Sequence, residues 1–233
     1  MNASQTIRDS VARVSALRQA SQAQPGLRVA INAVKRFQSQ RFANTYADLL
    51  CGGPYKDAAR FFLDELYGDK DYSLRDAQFS RIAGALQTFF PKHVVAIAVS
   101  LAQLHALTEE LDHSMGVVWI SDSSPAKTSE TERYRKAWRA VGRRNDRNAQ
   151  LKDVIAVGHE LDTLTRASGL RMMLKMMRRP AAAAGLSSLQ VFLETGFDTF
   201  AQMNKRTKGA QEFLAIIQAR EAQLIDGLFA SQS

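Results

Sequence analysis

Residues 94–115 read VVAIAVSLAQLHALTEELDHSM, and their reading decides the fold. Pro91, just ahead, permits a new first helical turn. The stretch that follows makes a strongly apolar helix at the core of the protein. Its longest apolar run, 94–104, is interrupted by Ser100 and Gln103 and falls well short of the roughly 20 residues that a membrane span needs. No membrane span is expected.

Helical periodicity repeats on both sides of this stretch. Ile7, Val11, Val14 and Leu17 mark one apolar face, and Pro25-Gly26 stops that helix. A second helix runs over about 27–50 with Val29, Val34, Phe37, Phe42 and Leu49 inward, ended by Gly52-Gly53-Pro54. A third covers 55–67 and closes at Gly68. Ser73-Leu74-Arg75-Asp76 resembles a capping box, with Asp in place of Glu, opening a helix that uses Phe79, Ile82, Leu86 and Phe89. The irregular connection is placed at 116–128, with Val117-Val118-Trp119-Ile120 as a helix end or packed loop.

Beyond that connection, Ser129-Glu130-Thr131-Glu132 supplies a second capping box, and Tyr134, Ala137, Trp138 and Val141 share a face. The polar run Arg144-Asn145-Asp146-Arg147-Asn148 breaks this helix. Leu151, Val154, Ile155, Leu161 and Leu164 form the next one, ended at Gly169. A short Met-rich helix at 170–178 precedes Pro180, and two more follow at Leu189 to Phe200 and at 213–229. No region alternates with period two or carries an Asn-Gly hairpin signal. The expectation is an all-α, single, bundle-like domain of about ten helices over 1–233, with 1–24 as a peripheral helix.

Composition narrows the setting. The chain has one cysteine, Cys51, so an internal disulfide framework and a Cys-based zinc site are excluded. The N-terminal stretch carries Arg8, Asp9, Arg13 and Arg18 and lacks a secretory apolar core, which points to a cytoplasmic setting. Residues 1–132 hold 14 Lys/Arg and 14 Asp/Glu, while 133–233 hold 17 and 9, so the net charge of +8 lies in the C-terminal part. Such asymmetry hints at an anionic partner.

The run Ala59-Arg60-Phe61-Phe62-Leu63-Asp64-Glu65-Leu66-Tyr67-Gly68, followed by Asp71, Arg75-Asp76 and Phe79, resembles a family of uncharacterised helical proteins from bacteria. Leu111-Asp112, the stretch Arg178-Arg179-Pro180-Ala181 to Gly185-Leu186, and Phe192-Leu193-Glu194 extend the resemblance over about 40–225. Such families are catalogued as domains of unknown function. The resemblance implies a helical fold and a cytosolic bacterial setting, and no activity.

Three constellations are candidates for function. Asp64, Tyr67, Asp71, Arg75 and Asp76 gather where two helices meet, either as a structural corner tied by a cap and an ion pair or as a polar ligand pocket. His105, Glu109 and His113 lie along one drifting helix face, and Glu110 with His113 makes a Glu-x-x-His. Di-iron bundles need that motif twice, and the positions three before His93, His105 and His159 are Phe90, Ala102 and Ala156. A solvated acidic helix end is therefore expected over a metal site. Arg135, Arg139, Arg143 and Arg147 recur every four residues, with Arg133, Lys136 and Arg144 beside them and Asp146 the one acid over 133–152. Arg178 and Arg179 extend the basic surface beside Met172, Met173, Met176 and Met177, which read as flexible core or contact surface.

No Gly-rich phosphate loop, Gly-x-Ser-x-Gly, triad or haem-attachment motif is present, and no cofactor is assigned. The reading is a non-catalytic binding or regulatory module for a protein or a small ligand. One alternative is binding of a nucleic-acid backbone or other anion by the basic half. The other is a helical enzyme or sensor dependent on a metal or haem. The sequence sets no oligomeric state.

Overall fold

The apolar stretch at 94–115 forms part of the longest helix of the molecule, α6 (Lys92–Ile120), around which most of the chain is wound. The structure, a computed structural model, describes residues 2–68, 70–122, 125, 127–167, 169–205 and 209–230, with Phe89 described by its backbone alone. The expected inward placing of the Phe89 side chain thus lies outside the described residues, as do Ser123, Ser124 and Ala126 of the expected connection. Five helices precede α6: α1 (Ala3–Ala23), α2 (Pro25–Thr45), α3 (Ala47–Cys51), α4 (Lys56–Glu65) and α5 (Ser73–Phe89). Six follow: α7 (Glu130–Val141), α8 (Arg144–Arg166), α9 (Leu170–Met176), α10 (Arg178–Ala183), α11 (Ser187–Met203) and α12 (Gly209–Phe229). No strand occurs among the described residues, and the all-α expectation holds.

Helix α6 is packed by α1, α2, α5, α7 and α8, while α8 also meets α11 and α12, so these two long helices share the centre. By length and composition α6 is apolar enough to cross a membrane. Yet Glu109 and Asp112 are buried on it among the side chains of its neighbours, as in the core helix of a globular domain. One core cluster joins Phe42, Tyr46, Phe62, Phe200 and Phe213, and a second joins Val34, Met115, Trp119, Tyr134, Trp138 and Ile225. Ile7 with Leu86 and Ala98, and Ile97 with Val157 and Leu164, form two smaller ones.

Several boundaries differ from the sequence reading, each for a physical reason. Helix α1 is not peripheral, because Ile7 and Val14 are fully buried against α5 and α6. Pro25 opens α2 at its first turn, where proline costs no hydrogen bond. Val29 is 65% exposed and faces solvent, leaving Leu27, Ala30, Val34 and Phe42 inward. Gly116 does not end α6. Its bare backbone lets Ile31 of α2 press against the helix, and an added methyl group there would collide with that side chain.

The Ser73 segment is not a capping box. No side chain caps the helix from its cap position, and the backbone N–H of Ser73 donates to Asp71 at 2.9 Å. Ser129 and Glu132 do form the reciprocal box ahead of α7. The polar run 144–148 is the first turn of α8 rather than a break. The chain turns two residues earlier, at Gly142, whose φ of 67° is left-handed and suits glycine.

Candidate functional site

The clusters of the core surround a cavity of about 430 Å³. One face of α6 lines it from end to end, and the residues on that face change character along the way. Val94, Ile97 and Leu101 come first, then His105, Thr108, Glu109 and Asp112. Helix α8 lines the opposite side in reverse order, with Arg147 and Gln150 followed by Val154, Leu161 and Leu164. Gln150 Nε2 donates to Thr108 Oγ1 at 2.8 Å, while Ile97 clusters with Leu164, so the two helices run antiparallel and their polar ends coincide. The cavity is therefore amphipathic by construction. Phe79 and Ile82 of α5, Met173 of α9 and Phe197 of α11 add to its apolar end, and Lys35, Gln38 and Arg41 of α2 to its polar end.

Nearly every charge at the polar end is matched. Lys35 Nζ donates to Glu109 Oε1 at 2.6 Å. Arg41 forks onto Glu221 at 3.0 and 3.2 Å, and the Tyr46 hydroxyl donates to the same carboxylate at 3.0 Å. Arg75 Nη1 donates to Glu65 Oε2 at 2.8 Å, and the Arg75 Cζ lies 4.1 Å from the Tyr72 ring centroid. Asp76 meets Arg18 of α1 at 2.8 Å and His105 Nε2 at 2.9 Å. Burial pushes the Asp76 carboxyl up, but His105 and Arg18 outweigh it and hold the group below the usual carboxylate range. Burial pushes Glu109 up as well, but Lys35, together with His105 and Arg18, outweighs it and holds the group low.

Two groups are not matched in this way. Arg147 is 5% exposed, its guanidinium 4.0 Å from the Trp138 ring centroid, and its Nη1 reaches only Gln150 Oε1 at 3.4 Å. Its Nη2 is buried without a partner, and among the described residues no carboxylate forms a salt bridge with it. Burial lowers its affinity for its proton below that of an ordinary guanidinium. Asp112, 3% exposed, accepts from Gln38 Nε2 at 3.0 Å and stands 4.0 Å from Lys35 Nζ. Burial raises its carboxyl above the usual range despite the attraction of Lys35 and Arg147.

The candidates from the sequence divide among different places. Tyr67, Arg75 and Asp76 line the cavity, so the corner borders it. The Tyr67 ring stacks on Phe42 at 4.5 Å, and burial next to Glu221 pushes its hydroxyl up. Asp71 serves the Ser73 backbone, and the Asp64 carbonyl accepts from the Tyr72 hydroxyl at 2.7 Å. The expected solvated acidic end at 105–113 instead lies mid-helix, with Glu109 and Asp112 buried and His105, Glu110 and His113 half-buried. His105 turns to Asp76 and Glu109 to Lys35, His113 Nε2 is buried without a partner, and Glu110 pairs with Arg13 and Arg143. Among the described residues no three His, Cys, Asp or Glu side chains gather as a metal set.

The arginine stripe does not form one face, because Gly142 separates Arg135 and Arg139 from Arg143 and Arg147. Arg139 Nε donates to the Leu228 carbonyl at 3.0 Å, and its Nη2 to that of Ala230. Arg143 pairs with Glu110 and Asp146, both at 2.5 Å, and the Arg135 Nε is buried without a partner. Arg178 pairs with Glu194, which it holds down at about 2, and Arg179 is exposed. All four methionines are exposed, Met172 and Met176 most of all, and Met173 and Met177 also line the cavity. Sequence reasoning missed Lys35, Gln38, Arg41 and Glu221. Their signal was present, since Lys35, Gln38 and Arg41 interrupt the apolar face that Val34, Phe37 and Phe42 define.

No curated protein and no solved structure matches the chain. A family model described as Domain of unknown function (DUF8198) matches residues 17–233, nearly the whole of the helical domain just described, and the chain belongs to that family.

Proposed function

We propose that this protein is a non-catalytic binding module whose interior holds a small, elongated, largely apolar molecule. The cavity carries the reading. Protein interiors pack closely enough that voids larger than a water are few, and about 430 Å³ lies within the range of small-molecule sites. Its lining is apolar over most of its length, with polar groups gathered at one end, as specific pockets are built. The carboxylates Glu65, Asp76, Glu109 and Glu221 are tied into ion pairs, an arrangement suited to holding a ligand in place. A cytoplasmic setting accords with the single cysteine.

The test is titration of the purified protein with straight-chain alkanols and alkanoates of increasing length, read by thermal unfolding and by fluorescence of Trp138, which borders the cavity. Binding should strengthen with chain length and raise the melting temperature. At a ligand concentration a hundred times Kd, stabilisation is about 2.7 kcal/mol. Leu101→Phe and Leu161→Phe, which fill the apolar end, should weaken it. If no chain length changes either signal, the proposal is wrong.

A further inference from the structure

Resting on that reading, we infer that the ligand is a long-chain monocarboxylate whose head is held by Arg147 at the polar end, its chain running toward α9. The charges around the polar end decide the head group. Lys35, Arg41, Arg75 and Arg18 each have a carboxylate partner, and among the described residues Arg147 has none. A guanidinium offers five N–H donors in a fixed fork. Here Gln150 takes one at 3.4 Å, and Trp138 covers the group at 4.0 Å, which fixes it in place. A carboxylate accepts two parallel N–H bonds from such a fork.

A phosphate head would bring close to two charges toward one unpaired cation, with Asp112, Glu109 and Glu221 also lining the cavity. A hydroxyl head would leave the buried cation without a counter-charge. A single carboxylate balances it. Asp112, across the cavity, supports this choice, because burial favours its protonated form, which can donate to the second oxygen of the head. The shared polarity of α6 and α8 sets the direction. From Asp112 back to Val94 is 18 residues, about 27 Å of helix along which the lining turns apolar.

Matched probes test this on the full chain: dodecanoate, dodecan-1-ol and dodecyl phosphate, compared by calorimetric titration. Dodecanoate should bind roughly 10- to 100-fold more tightly than the alcohol, the range for a hydrogen bond to a charged group, and more tightly than the phosphate. Arg147→Gln should erase the preference for acid over alcohol while leaving alcohol binding in place. Leu161→Phe should weaken both. The comparison of acid with alcohol on the unaltered protein needs no variant, so a poorly folding Arg147→Gln does not block the test. Equal binding of acid and alcohol, or a preference that survives Arg147→Gln, would overturn the head-group assignment and leave the cavity reading standing, with water satisfying Arg147. Binding of neither probe would overturn both.

Discussion

Arg147 is stacked over Trp138 at 4.0 Å, with no counter-ion in contact among the described residues, and burial works against its charge. Replacing a buried charge that lacks good partners by an apolar side chain of similar volume is often neutral or stabilising. Arg147→Met should therefore stabilise the ligand-free protein by about 1 kcal/mol, or about 2–4 °C in Tm for a chain this long. The same variant should lose the preference for carboxylates. Thermal unfolding checks the first part, and a Tm lowered by several degrees would show that Arg147 is satisfied within the fold.

Asp112 provides a second contrast. Its folded-state pKa is raised, chiefly by burial, so its contribution to stability is present at low pH and is lost as the pH rises through that value. At neutral pH the buried carboxyl is therefore a liability. Asp112→Asn keeps an acceptor for Gln38 and removes the charge, so it should raise Tm at pH 7–8. The advantage should shrink as the pH falls toward about 4, where the unfolded-state carboxyl also takes its proton. Asp76 has the opposite sign. Its folded pKa is lowered, so the stability it adds is present at neutral pH and is lost as the pH falls through that lowered value. Melting curves of both Asn variants across pH 3–8, taken about one unit apart, should diverge in these directions. Parallel curves would contradict the burial-based account.

What could be read along the chain and what could not separate by physical origin. The Ser129–Glu132 box and the apolar run of α6 depend on near neighbours, and both are legible in the sequence. The run 144–148 is polar throughout, and Arg147 lies four residues after Arg143, a like-charge spacing that locally disfavours helix. It is helical because Glu110 of α6 and Asp226 of α12 meet Arg143 and Arg144 from elsewhere in the fold. Gly116 has the composition of a stop and the role of a packing surface, a difference only Ile31 reveals. The cavity was not legible at all. Leu101 beside a void and Leu111 in solid core have the same helical pattern, and only the spacing of helices distinguishes them.

Gly116 itself is open to test. A methyl group at this position would run into the Ile31 side chain, with the Ile31 backbone nitrogen 3.3 Å away, so relief requires α2 and α6 to separate. Overpacking of this kind costs about 1–3 kcal/mol, more than the gain that alanine brings to helix propensity, which is at most about 1 kcal/mol. Gly116→Ala should lower Tm, and Ile31→Ala in the same chain should recover part of the loss. A double-mutant cycle by chemical denaturation measures the coupling. Additive effects would mean that the two side chains do not meet.

The basic C-terminal half yields the last prediction. If Arg135, Arg139, Arg143 and Arg147 all met phosphates, duplex binding would show a log–log salt slope near −3.6, about −0.9 for each of four contacts. The structure gives three of them other work. Arg139 closes the C-terminal end of α12 through the Leu228 and Ala230 carbonyls, Arg143 bridges Glu110 and Asp146, and Arg147 is buried. Basic groups at such carbonyls complement the helix dipole. Arg139→Gln should cost about 1 kcal/mol. Arg143→Gln, a partly exposed ion pair, should add no more than about 1 kcal/mol. The double variant is thus expected to melt several degrees lower, and the unaltered protein to ignore mixed duplex and single strands at physiological salt. Both are measured on the same preparations, by melting and by binding at low and physiological salt. Salt-sensitive binding that the double variant loses at unchanged Tm would assign these arginines to a nucleic-acid backbone instead.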